Sequence, residues 1–191
     1  MDVIFSLLYW LIDKKLKAYN MKKISSIILI LLAVLLTGCV TKPDNIKPVE
    51  NFQAQKYLGK WYEIARFDNS FEKGMTEVYA EYSLNSDGSI KVVNSGITPA
   101  TGERSYATGI AKFIDGDDQG YLKVSFFRPF YGAYVVFKLD DYKYAYVTGA
   151  NKNYLWLLSR TKTVPPSVKD DFIKKAKSLG FDTNNLVWVK Q

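Results

Sequence analysis

From Gly59 to Arg160 the chain reads as eight short runs of aromatic and β-branched residues, each closed by a turn. This regularity limits the fold more than any other feature. Such residues favour extended backbone, and alternation of apolar and polar positions turns one face of each run inward. Strand A is Gly59–Phe67, free of proline, with Gly59 and Trp61 on one face. Over 75–84, Val78, Ala80, Tyr82 and Leu84 share a face opposite Glu77, Tyr79, Glu81 and Ser83. Asn85-Ser86-Asp87-Gly88 is a hairpin turn, and Ile90, Val92 and Asn94 carry the inner face into strand C. Strand D covers 102–114. Strand E covers 121–127, with Leu122, Val124 and Phe126 inward. In strand F, 130–139, Lys138 faces outward, and that parity puts Tyr131, Ala133, Val135 and Phe137 inside. Strand G covers 142–149, and strand H, 154–160, sets Tyr154, Trp156, Leu158 and Arg160 on one face. Eight strands joined in order by short turns predict an all-β fold, an eight-stranded up-and-down antiparallel barrel. Its interior holds side chains or one small ligand. Beyond Pro165-Pro166 the pattern predicts an α-helix over 168–179. Its stripe of Val168, Phe172, Ala176 and Leu179 packs on the outside of the barrel, with Asp170 and Asp171 near the positive end of the helix dipole. A last short strand covers 186–189.

Ahead of the barrel, Met21-Lys22-Lys23 precedes an apolar run, Ile24–Leu36, broken only by Ser25 and Ser26. A basic start, an apolar stretch of this length and small residues after it are the features of a secretory signal peptide, assigned to 21–38. The run falls short of the ~20 apolar residues that span a bilayer as a helix. Leu36-Thr37-Gly38-Cys39 resembles the bacterial lipobox. That resemblance implies lipidation of Cys39: a thioether-linked diacylglycerol, cleavage before the cysteine, and a fatty acyl chain such as palmitate on the new amino group. Several acyl chains hold a protein stably on a membrane where one is marginal. Val40 follows, not Asp, and by the sorting rule that accompanies the motif this implies the bacterial outer membrane, with the domain in the periplasm. Residues 39–50, with Pro43 and Pro48, are expected to be a lipidated tether, and 51–191 the barrel domain. Residues 1–20 are expected to be an over-long extension ahead of the true start at Met21, the alternative being an extra hydrophobic leader.

Composition narrows the chemistry. The chain has no histidine, which removes the commonest general base and metal ligand. Its single cysteine, Cys39, allows no internal disulfide and no cysteine metal cluster. No cofactor and no metal are expected. The net charge of +7 has no block of like charges of the kind that grips nucleic acid.

Gly59-x-Trp61 in the first strand, Thr148-Gly149 with Tyr154 before the last, and Arg160 at its end resemble the three short motifs of the lipocalins. The runs Tyr57–Phe67 and Lys123–Gly132 resemble the bacterial outer-membrane lipocalins, relatives of apolipoprotein D. The likeness extends from about residue 50 to the C-terminus. One departure stands out: many lipocalins read Thr-Asp-Tyr at the second motif, and here Gly149 follows Thr148. The resemblance implies that Arg160 crosses over Trp61 at the closed end, so Gly59, Trp61 and Arg160 are a structural signature. It also implies binding of a lipid, a fatty acid or lysophospholipid, for membrane maintenance, storage or transport, without catalysis. Candidates for the ligand-binding wall are Tyr82, Leu122, Phe126, Tyr131, Ala133, Val135, Tyr154 and Trp156, although ordinary packing accounts for any one of them alone. The rival readings are a lipid-modifying enzyme that works without histidine and a structural lipoprotein with a filled barrel. The aromatics Tyr62 and Tyr79 leave a homodimer open.

Overall fold

The computed structural model describes residues 40–191; the extension 1–20, the signal peptide 21–38 and Cys39 lie outside the described residues. A single helical turn, α1 (Ala54–Tyr57), leads into β1 (Gly59–Phe67), β2 (Thr76–Leu84), β3 (Ile90–Ile97), β4 (Arg104–Phe113), β5 (Tyr121–Phe127), β6 (Phe130–Asp140), β7 (Tyr144–Thr148) and β8 (Leu155–Ser159). These are strands A to H in order. Every neighbour is antiparallel, and β1 closes the sheet by pairing with both β2 and β8. The expected eight-stranded barrel is therefore present. Helix α2 (Pro166–Ser178), a 3₁₀ turn at Thr183–Asn185 and β9 (Leu186–Trp188) follow.

Strand β1 serves two neighbours on one edge. Gly59–Tyr62 pair with β2, and Ala65–Phe67 pair with β9 where β2 has diverged. The C-terminal residue holds the junction, with Gln191 Nε2 donating to the carbonyls of Glu63 (2.6 Å) and Val78 (2.7 Å).

Two cores lie on opposite sides of the barrel wall. The inner one gathers Phe52, Tyr57, Trp61, Tyr82, Ile90, Val92, Leu122, Val136, Ala145, Val147 and Leu158. The outer one gathers Ile64, Phe67, Tyr121, Val135, Phe137, Tyr146, Leu155 and Leu157 beneath α2. The helix buries Phe172 and Ala176 there, two members of the expected stripe. Asp171 lies past the first turn and does not serve the dipole. Its carboxylate accepts from Tyr146 Oη (2.6 Å) and Lys138 Nζ (2.5 Å), tying the helix to the wall.

Several expectations need correction. In strand F the inward set is Tyr134, Val136 and Leu139, while Val135 and Phe137 face the helix. The cause is a register shift against β7 between Val136 and Lys138. A bulge of this kind reverses the alternation, so Lys138 faces out without fixing the parity of the residues before it. Tyr131 is on the outer face too, with Lys123 Nζ 5.4 Å from its ring centre. Leu84 ends β2 and is exposed. Strand G starts at Tyr144, because Asp141 and Tyr142 have φ of 44° and 55° and form the turn. Residues 40–50 are not a free tether. Ile46 is fully buried under the helix, Tyr121 Oη donates to the Val40 carbonyl (2.9 Å), and Val49 N donates to the Val136 carbonyl (2.8 Å).

The helix seat carries much of the outer core. Phe172 is fully buried, edge-on to Tyr146 at 4.9 Å between ring centres. Phe172→Ala is expected to cost about 3–5 kcal/mol, read as a lower urea midpoint at unchanged slope.

Candidate ligand-binding site

The closed end is built around Trp61, which has no solvent exposure. Gly59 precedes it with φ +89°, a conformation open to glycine, and brings the chain under Arg160. The Arg160 guanidinium lies over the indole, 3.9 Å from its centre. It donates to the carbonyls of Lys60 (2.8 Å), Lys56 (2.7 Å) and Tyr142 (3.2 Å). Trp61 Nε1 donates to the Tyr57 carbonyl (2.8 Å), so α1 is fastened beneath the barrel. Above this plug, Tyr134 Oη meets Tyr57 Oη at 2.7 Å and Tyr82 Oη at 2.9 Å. Burial raises the pKa of all three phenols, Tyr82 to about 12, so they stay neutral.

Over the tyrosines lies a cavity of about 430 Å³. Its wall is mostly apolar, with Val78, Ala80, Val92, Val124, Phe126 and Leu158 among its members, and Tyr154 stacks on Trp156 at 5.9 Å. One side is polar. Glu63 continues the inward parity of Gly59 and Trp61, and Glu72 reaches in from the β1–β2 loop. Arg66 Nη1 donates to Glu63 Oε1 (2.8 Å), and its Nη2 donates to the Glu72 main-chain carbonyl (2.7 Å). Glu72 Oε2 accepts from Asn69 Nδ2 (2.8 Å) and Trp156 Nε1 (3.2 Å). Burial first, and then the charge of Glu72, pushes the Glu63 carboxyl up to about 8 against the pull of Arg66.

Residues 52–191 match the family described as Lipocalin-like domain. The chain belongs to the lipocalins. Outer membrane lipoprotein Blc of Vibrio cholerae is 54% identical over 168 residues, 87% of this chain and 98% of the relative. The protein of the same name from Escherichia coli K12 is 45% identical over 162 residues, 83% and 92% of the two chains. Rat apolipoprotein D is 37% identical over 125 residues, 61% and 65%. Insecticyanin of the tobacco hornworm Manduca sexta superposes with a TM-score of 0.64 over 78% of this chain and 86% of that one, at 22% identity, a likeness of fold. The bacterial relatives' names agree with the outer-membrane anchoring expected from the lipobox.

Of the eight wall residues expected in this lipocalin, Tyr82, Phe126, Tyr154 and Trp156 line the cavity. Ala133 touches its edge while packing in the outer core. Leu122 is inside the barrel but below the cavity, in the packed base. Tyr131 and Val135 lie on the far side of the wall for the reason given above. Tyr134, Glu63, Glu72 and Phe71 also line the cavity and were not among the expected wall residues. Alternation from Trp61 points to Glu63. Nothing local points to Glu72 or Phe71, which a loop delivers.

Two expectations follow. Arg160→Lys keeps the charge but loses the flat stack and the forked donation, and should cost about 1–3 kcal/mol in chemical denaturation. Glu63 has a folded pKa near 8 against 4.5 for a free side chain, so the folded state holds its proton where the unfolded state has released it. The sign follows: stability falls as pH rises from about 4.5 to about 8, and Glu63→Gln should flatten that slope in denaturation curves across this window.

Proposed function

We propose that this lipocalin, anchored in the outer membrane through lipidated Cys39, binds single-chain lipids such as fatty acids and lysophospholipids, and stores or transfers them for membrane maintenance. The observation that carries this reading is the cavity: about 430 Å³ of largely aliphatic and aromatic wall above a sealed base. Ligand pockets of this kind bury most of a small apolar molecule. Burying ten methylenes contributes about 8 kcal/mol at ~0.8 kcal/mol each. Ordering the chain and losing its free motion offset several kcal/mol of this, which leaves affinity nearer the millimolar range for ten methylenes and tightens it about four-fold for each further methylene buried. Binding is reversible and no bond is made or broken. A filled, purely structural barrel fits poorly with an open volume of this size. Nucleophilic catalysis of the Ser–His kind has no histidine to use.

Two measurements test the reading. Mass spectrometry of lipid extracted with the purified protein should find a single-chain lipid at near-stoichiometric amount, and protein recovered empty from every membrane preparation would refute it. Ala80→Trp places an indole in the open volume. It should abolish the co-purifying lipid while leaving the far-ultraviolet circular dichroism unchanged.

A further inference from the structure

The cavity wall is charged on one side, and with one sign. Among the described residues that line it there are two carboxyl groups, Glu72 and the Glu63 group that holds its proton up to about pH 8, and neither a lysine nor an arginine. Arg66 is fully buried behind the wall. Its guanidinium is divided among Glu63 (2.8 Å), Asp68 (3.5 Å) and the Glu72 main-chain carbonyl (2.7 Å). One cation thus serves a region with three carboxylates. The Glu72 carboxylate itself is held by neutral donors, Asn69 and Trp156, both on Oε2. Glu72 is only 7% exposed, and its Oε1 makes no hydrogen bond among the described residues. Neutral donors fix the position of that group without cancelling its charge. Lys73, next to Glu72 in the chain, is an exposed side chain that water and salt screen.

From this arrangement we propose that Glu72 makes the cavity select amphiphiles whose head group carries an ammonium over equally long amphiphiles with a net negative head group. The inference rests on the lipid-binding reading and narrows its ligand class. An ammonium entering beside the acyl chain gives Oε1 of Glu72 the charged donor it lacks. Charge-assisted hydrogen bonds of this sort are the strong ones. An anionic head group meets the Glu72 carboxylate in a largely apolar site that screens charge weakly. On this reading a lysophosphatidylethanolamine, whose ammonium balances its phosphate, is favoured over a lysophosphatidylglycerol, whose phosphate stands alone.

The test is a competition. The full chain in non-ionic detergent is given an equimolar mixture of lysophosphatidylethanolamine and lysophosphatidylglycerol with the same acyl chain, and native mass spectrometry reads the bound ratio. The ethanolamine form should exceed the glycerol form by about ten-fold, the effect of one modest charge interaction. Glu72→Gln, which keeps the hydrogen bonds from Asn69 and Trp156 within reach, should bring the ratio towards one. Glu72→Asp, which keeps the charge, should retain most of the preference. A ratio near one or below in the unaltered protein overturns the head-group assignment while leaving lipid binding intact. So does a preference that Glu72→Gln leaves unchanged. Failure of either lipid to bind overturns both. The first readout uses unaltered protein and so stands even where a variant folds poorly.

Discussion

The stack of Arg160 on Trp61 is the contact on which the rest of this lipocalin depends. A barrel closed by backbone hydrogen bonds alone remains open at both ends, and water would enter from either. Here the first residue after β8 reaches across to the first strand, covers the indole and takes up three carbonyls from α1, β1 and the β6–β7 turn. The stack contributes about 0.5–2 kcal/mol. The hydrogen bonds add to it, because they tie three separate segments to one planar group and fix that group over the indole. With one end sealed, the apolar volume above it has a single mouth, and an acyl chain has one way in and out.

The inner face shows how the plug and the cavity are joined. Tyr57, Tyr82 and Tyr134 present their rings to the base and their hydroxyls to one another. A buried phenol without a partner is costly, and three that satisfy each other are not. They form the boundary between packed side chains below and open space above. Tyr57 touches both worlds, since its carbonyl binds the Trp61 indole and its ring packs 4.8 Å from it.

Most of the fold was legible in the sequence because alternation is a strong signal wherever a strand runs straight. Val78, Ala80, Tyr82, Val92, Tyr154 and Trp156 all face where their parity puts them. The failures fall where the strand does not run straight. One extra residue between Val136 and Lys138 turns Tyr131 and Val135 outward, and a parity counted back from Lys138 carries the error along the whole strand. The segment after Cys39 misled for a different reason. Its prolines and charges resemble a linker, yet Ile46 is fully buried in the core beneath α2, with the backbone of Val49 pairing to Val136. Composition averages over such a residue, whereas packing depends on it.

A barrel shaped only for stability would have no use for the polar side of this cavity. Taking a carboxylate out of water costs several kcal/mol, and a partner returns that only when the geometry is good and the remaining oxygens are satisfied. Glu63 meets the first condition through Arg66 at 2.8 Å. Glu72 meets neither in full, because its donors are neutral and its Oε1 has no hydrogen-bond partner among the described residues. Burial does most to raise Glu63, and an apolar residue at 72 would remove the repulsion that adds to it and would enlarge the apolar wall. The loop instead spends Asn69 and the indole of Trp156 on holding a charge at the edge of a lipid-sized volume. Rigidly held charge in a low-dielectric wall acts on whatever enters, and acts differently on each sign. The physical role of this corner is therefore to be sought in the head group of the ligand, while the methylenes of the chain account for the rest of the wall.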